Sequence, residues 1–125
     1  MEKKPRIIAI YTTKGDAAAF LLYPYIYNAI GEWIGWVTPQ REVYSVLGVF
    51  VGRLSNDPRI LKKRVEEYTR PKKIPPFIPD RIYPPATVPL APLMPELSFD
   101  TIDVLYEEPE LLHTIDAGEL REDIA

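Results

Sequence analysis

Residues Ile26–Val37 read IYNAIGEWIGWV, and 17 residues further on Val43–Leu54 read VYSVLGVFVGRL. Both stretches run Ile or Val, Tyr, Asn or Ser, two residues, Gly, one residue, aromatic, Ile or Val, Gly, one residue, aliphatic. A fainter copy, Ile10–Leu21 (IYTTKGDAAAFL), lies 16 residues before the first, with Gly15 in the same place and Ala19 standing for the second glycine. Three copies in tandem predict a repeat architecture. Each copy also has hairpin chemistry. Thr12, Asn28 and Ser45 suit the first position of a four-residue turn, where a short polar side chain bonds to nearby backbone, and Gly15, Gly31 and Gly48 suit the fourth.

On the return strand strict alternation sends Trp33, Gly35 and Val37 to one face and Ile34 and Trp36 to the other, with Phe50, Gly52 and Leu54 set against Val51 and Arg53 in the next copy. Glycine inside a strand is costly, so Gly35 and Gly52 predict close approach by another backbone or a ring. The residue that follows the small one varies among Phe20, Trp36 and Arg53, a mixture no single core position accepts. Trp36 and Arg53 are therefore expected on the outside or at an interface.

The motif Tyr27–Trp36, its near-copy Tyr44–Arg53 and the weaker Tyr11–Phe20 resemble the bacterial four-fold beta flower family. The resemblance covers about residues 10–54 and rests on Tyr27, Gly31, Gly35, Tyr44, Gly48 and Gly52. It implies hairpins set like petals about a pseudo-fourfold axis, and it brings no established activity. Three copies are legible. Ile82 and Tyr83 begin like a fourth, but Pro84 and Pro85 fall where its turn should be. The fourth petal is then a later segment such as Phe99–Tyr106, a contribution from another subunit, or absent.

Beyond the repeat the period changes. Ile60, Leu61, Val65 and Tyr68 fall on one helical face, with Asp57 as cap and Pro58 in the first turn, so an amphipathic helix is expected within Ser55–Arg70. Its other face carries Arg59, Lys62, Lys63 and Arg64, and Arg70, Lys72 and Lys73 continue the positive charge. A solvated face is the plain reading; phosphate contact is the functional one. From Pro71 to Pro95 proline is too dense for a helix or a central strand, leaving an extended arm. The arm holds enough apolar residues to lie on the hairpins or on a second subunit. Lys73, Pro76 and Pro79 also fit a basic-x-x-Pro-x-x-Pro pattern of the kind read by aromatic grooves. The tail predicts a short strand within Phe99–Tyr106, a helical turn near Glu108 and Pro109, and an acidic end. The expected organisation is residues 1–70 as hairpin core plus helix, 71–96 as proline-rich arm and 97–125 as acidic segment.

Composition narrows the function classes. A chain of 125 residues is the size of one domain. It has no cysteine and one histidine, His113, which removes disulfides, thiolate metal sites and multi-histidine sites, fits a cytoplasmic location and leads us to expect no cofactor. Lys3 and Lys4 precede too short an apolar run for a secretory signal. Ala17–Val37 is long and apolar enough to suggest a membrane helix, but its Pro24, Asn28, Gly31 and Gly35 fall at hairpin positions, so no membrane span is expected. Charge is split: residues 1–82 carry 14 Lys/Arg against 8 Asp/Glu, and residues 83–125 carry 1 against 10, summing to the net −3. Asp100, Asp103, Glu107, Glu108, Glu110 and His113 are the one grouping with acid–base potential, without a familiar catalytic spacing. No phosphate loop is present.

The sequence thus predicts a mainly β protein of tandem, petal-like, pseudo-symmetric hairpins, then one amphipathic helix and an extended proline-rich arm. Its expected role is a non-enzymatic structural or protein-interaction module that forms a homo-oligomer and contacts partners through the arm or the acidic tail. The candidate surface is Trp36, Arg53, Arg59, Lys62, Lys63, Lys73, Pro76 and Pro79. The alternatives are a nucleic-acid-binding protein using the basic stretch and, third, a hydrolase-like enzyme with an acidic site.

Overall fold

The computed structural model describes residues 6–65 and 70–116. They form one antiparallel sheet whose strands pair in sequence order: β1 Ile8–Tyr11, β2 Ala17–Leu22, β3 Tyr25–Asn28, β4 Trp33–Val37, β5 Glu42–Ser45, β6 Phe50–Leu54, β7 Ile60–Lys63 and β8 Thr101–Asp103. The sheet curls into a half-barrel, and one short helix, α1 Val104–Glu107, follows β8, succeeded by a 3-10 turn at Pro109–Leu111.

The first three hairpins close as their turn residues require. The backbone N–H groups of Gly15, Gly31 and Gly48 donate to the carbonyls of Thr12, Asn28 and Ser45 at 2.9, 3.0 and 2.9 Å, and all three glycines have positive φ, 91°, 89° and 81°. The side chains of Thr12, Asn28 and Ser45 accept from the N–H groups of Lys14, Ile30 and Leu47, holding the tips.

Side-chain alternation departs from the strict pattern. The pairing of β3 with β4 shifts register between Ile26 and Tyr27, and that of β5 with β6 between Val43 and Tyr44. A bulge adds one residue on one strand and reverses the sense of alternation beyond it. Ile34 and Val37 therefore enter the inner aliphatic core with Val43, Val51 and Leu54, while Trp33 and Trp36 lie together in an aromatic cluster with Tyr27 and Tyr44. Trp36 lies on the outer face, and it is buried there in the aromatic cluster against which Ile82 packs. Gly35 and Gly52 sit under neighbouring strands: a Cβ would stand 2.6 Å from the Tyr44 carbonyl oxygen in the first case and 2.5 Å from that of Leu61 in the second. Backbone approach, one of the two reasons expected, accounts for both.

The helix expected after the hairpins is a strand. Ser55 N–H donates to the Arg59 carbonyl at 2.8 Å and Ser55 Oγ accepts from Arg59 N–H at 2.9 Å, so the chain reverses at Asp57–Pro58 instead of starting a helix. Ile60 then pairs with Leu54, and Leu61 lies between Arg53 of β6 and Asp103 of β8. Apolar pairs at this spacing fit a short strand as well as one helical face, and sheet hydrogen bonds on both sides decide for the strand. The remainder of that expected helix, residues 66–69, and the acidic end from residue 117 lie outside the described residues.

β7 pairs with β8, the short strand expected within the Phe99–Tyr106 span, to form a fourth hairpin whose connection is residues 64–100. Arg64 N–H donates to the Asp100 carbonyl at 2.7 Å, closing the base of this loop. Its described residues form no helix or strand. They run across the other hairpin turns in reverse order: Lys73 N–H bonds to the Gly48 carbonyl and Ile82 N–H to the Gly31 carbonyl, each at 3.0 Å, and Ala91 lies beside Gly15. The loop then returns to its root, where Arg59 donates to the Pro95 carbonyl at 3.1 Å.

Both faces of the curled sheet are thereby covered. Inside, Ile10, Ile26, Val43, Val51 and Ile60 pack with Val104 and Leu112 from beyond β8. Outside, Tyr11, Phe20, Tyr27, Trp33, Trp36 and Tyr44 lie under parts of the connection, with Ile82, Ala91 and Met94 packed against them.

Candidate functional site

The aromatic outer face and the connection lying on it form the most developed surface. Trp36 stacks on Tyr44 with centroids 5.1 Å apart, Phe50 meets Tyr44 edge-on at 5.7 Å, and Tyr25 meets Trp33 edge-on at 6.2 Å. Burial, with Tyr25 and Asp80 adding to it, pushes the Tyr27 phenol above its ordinary pKa. Tyr25 and Tyr11 donate their phenol protons to the Phe77 and Pro89 carbonyls, each at 2.7 Å. Lys73 lies with Nζ 5.4 Å from the Tyr44 ring centre and 3.9 Å from Glu42 Oε1. Pro76 is half-buried, and Pro79 borders a shallow hollow of about 330 Å³ with Trp33, Ile78, Arg81 and Ile115.

Most large side chains of the connection point away from the sheet. Ile74 is 93%, Phe77 94% and Leu90 95% exposed, and Ile78, Tyr83, Leu93 and Phe99 are also exposed. Main-chain bonds at Lys73, Phe77, Ile82, Pro89 and Pro95 fix the backbone beneath them. A segment tied down through its backbone while presenting apolar side chains to solvent is unlike a core element and unlike a solvated linker, and exposed apolar surface of this kind marks contact sites.

A second feature is a cleft of about 440 Å³ beside β6 and β7, lined by Arg53, Lys62, Lys63 and Arg70 over a floor that includes Phe50 and Leu61. Three cations of the candidate surface thus come together there. Carboxylates attend all of them: Glu42 lies 3.6 Å from Arg53 and 2.9 Å from Arg70, Glu108 is 2.8 Å from Lys62, and Asp100 is 3.3 Å from Lys63. The basic and acidic parts of the chain pair with each other here.

Arg59 is not on the surface where the sequence placed it. It is 1% exposed, and its guanidinium donates to Asp57 Oδ2 at 2.7 Å, to Thr13 Oγ1 at 3.2 Å and to the Pro95 carbonyl. Asp103, also buried, accepts from Thr13 N–H at 2.6 Å and Thr13 Oγ1 at 2.7 Å. Arg59 and Asp103 meet at Thr13 and hold the first hairpin, the β6–β7 turn, the end of the connection and β8 together. The Asp57 carboxyl is pushed up by burial, but hydrogen bonds from Arg59 and Ser55 outweigh this and hold it below the usual value.

The acidic grouping disperses. Asp103 is engaged with Thr13, Asp100 with Lys63, Glu107 with Arg64 and Glu108 with Lys62, and His113 Nδ1 lies 3.0 Å from its neighbour's carbonyl oxygen. Among the described residues no group of His, Asp and Glu is placed to hold a metal ion, and no helix is long and apolar enough to cross a membrane.

Sequence reasoning missed the phenol groups of Tyr11 and Tyr25 and the docking residues Ile82 and Ala91. A signal was present: KKIPP at 72–76 and RIYPP at 81–85 are nine residues apart, and Lys73, Ile82 and Ala91 keep that spacing. Comparison with known proteins finds no matching family model, no matching curated protein and no matching solved structure.

Proposed function

We propose that the protein is a non-enzymatic structural and interaction module, in which four petal-like hairpins form a frame for a proline-rich arm and copies assemble through the arm. The single observation behind this reading is the set of apolar side chains, Ile74, Phe77, Tyr83, Leu90 and Leu93 among them, held outward on a fixed backbone. Burying such a side chain contributes roughly 1.5–3 kcal/mol, so a few of them in one contact are enough to drive association. The dispersal of the carboxylates supports a role without catalysis, and a composition free of cysteine fits a reducing cytoplasm.

Light scattering tests the assembly. The full chain is expected to be oligomeric, and Phe77→Ser/Leu90→Ser/Leu93→Ser monomeric with unchanged strand circular dichroism. A wild-type chain that stays monomeric at every concentration tested overturns the proposal.

The cleft lined by Arg53, Lys62, Lys63 and Arg70 favours a second reading, contact with nucleic acid, in which phosphates compete with Glu42, Asp100 and Glu108 for the cations. Its mark is a steep fall of affinity with salt. Failure to bind single-stranded RNA or DNA at low salt removes it.

A further inference from the structure

The outer face has the chemistry needed to read proline-rich chain. Proline lacks a backbone N–H, so a proline-dense segment offers carbonyls in excess and needs donors and apolar rings from its partner. The face supplies both: the phenols of Tyr25 and Tyr11 donate to the Phe77 and Pro89 carbonyls, and the Tyr27, Trp33, Trp36 and Tyr44 rings lie alongside Ile82. It also supplies room for backbone. A Cβ on Gly31 would stand 1.8 Å from the Ile82 carbonyl oxygen, and one on Gly48 2.1 Å from that of Lys73, so only glycine lets the two chains approach so closely. Two hairpin turns therefore present equivalent positions, met by backbone at Lys73 and Ile82, and the third, at Gly15, is met by the Ala91 side chain at 3.9 Å.

We infer that this face is a binding site for proline-rich chain, filled here by the protein's own residues 73–91, and that the same segment of a second copy occupies it when the connection lifts away. The inference rests on the assembly reading for the source of the ligand and on no other point. The geometry permits exchange because the segment is rooted at β7 and β8, whose pairing does not involve the docked residues. Lifting it breaks the turn, phenol and Ile82 contacts, and docking in trans restores the same contacts. Every copy carries both the face and the matching segment.

The probe is a capped peptide of residues 71–94, read by the fluorescence of Trp33 and Trp36, which lie in the cluster that Ile82 joins. In the full chain, Ile82→Asp places a charge against the aromatic cluster and frees the face. This variant is expected to bind the peptide saturably and at least tenfold more tightly than wild type, whose tethered segment competes at high effective concentration. Adding Gly31→Ala to it should abolish binding. In wild type, excess peptide should speed hydrogen exchange of the Lys73 and Ile82 amides, a measurement that decides the matter if Ile82→Asp does not fold. A folded Ile82→Asp chain without saturable binding, or wild-type amides whose protection ignores the peptide, overturns the inference. The two readings separate cleanly: peptide binding by a monomeric protein removes the assembly and leaves the site, whereas an oligomer blind to the peptide removes the site and leaves the assembly.

Discussion

The three turn glycines form a matched set for testing how the connection is held. Gly15, Gly31 and Gly48 share hairpin position and positive φ, so alanine at each incurs the same backbone cost, about 1 kcal/mol. They differ in what lies above them. At Gly15 the added methyl would meet only the Ala91 Cβ at 3.9 Å, an ordinary contact, whereas at Gly31 it would stand 1.8 Å from the Ile82 carbonyl oxygen. That oxygen belongs to backbone and cannot swing aside, so the connection must leave the turn. Departure removes the Ile82 N–H bond to Gly31, about 1 kcal/mol, and uncovers half-buried Ile82, about 1 kcal/mol more. Gly31→Ala should therefore lose about 3 kcal/mol against about 1 for Gly15→Ala, a difference of roughly 8 °C in Tm for a domain of this size. Thermal and urea unfolding give the stabilities, and brief trypsin treatment reports on the connection through cleavage after Lys72, Lys73 and Arg81. Gly31→Ala should expose these sites and Gly15→Ala should not. Equal losses of stability with unchanged cleavage would refute the reasoning, because the docking at Gly31 would then contribute nothing.

Arg59→Met removes the guanidinium that joins Asp57, Thr13 and Pro95 and leaves Asp57 without its cationic partner; urea unfolding should show a loss of about 3 kcal/mol, against at most ~0.5 kcal/mol for Arg53→Met at an exposed site. Because the folded-state pKa of Asp57 lies below its unfolded value, its contribution is complete above the unfolded pKa and is lost as pH falls through the folded one. Stability should thus decline in acid below about pH 4, and Asp57→Asn should flatten that decline when unfolding is followed from pH 7 to pH 2. Trp33 Nε1 donates to the Gly35 carbonyl at 2.6 Å, whereas Trp36 Nε1 is buried without an acceptor among the described residues. Trp33→Phe should accordingly cost about 1 kcal/mol more than Trp36→Phe by the same unfolding assay.

The local chemistry of the hairpins was legible in the sequence by itself. Thr12, Asn28 and Ser45 each close a turn with a glycine three residues on, and these interactions lie within four residues of chain, so no distant partner is needed to specify them. The failure of helix and central strand in the proline-dense segment is equally local, since proline has no N–H to contribute. Only the tertiary structure decided the rest. Ile60–Lys63 is a strand because β6 and β8 flank it, and β8 arrives from forty residues away. Trp33 joins Trp36 on the outer face, and Ile34 enters the core, because a bulge shifts the register between Gly35 and Trp33, and a period-two reading has no means of counting an inserted residue. Arg59 looks like a surface cation until Thr13, Asp57 and Pro95 close around it, and what makes a charge tolerable in the interior is partners drawn from several chain segments, which a reading of neighbours in sequence does not bring together.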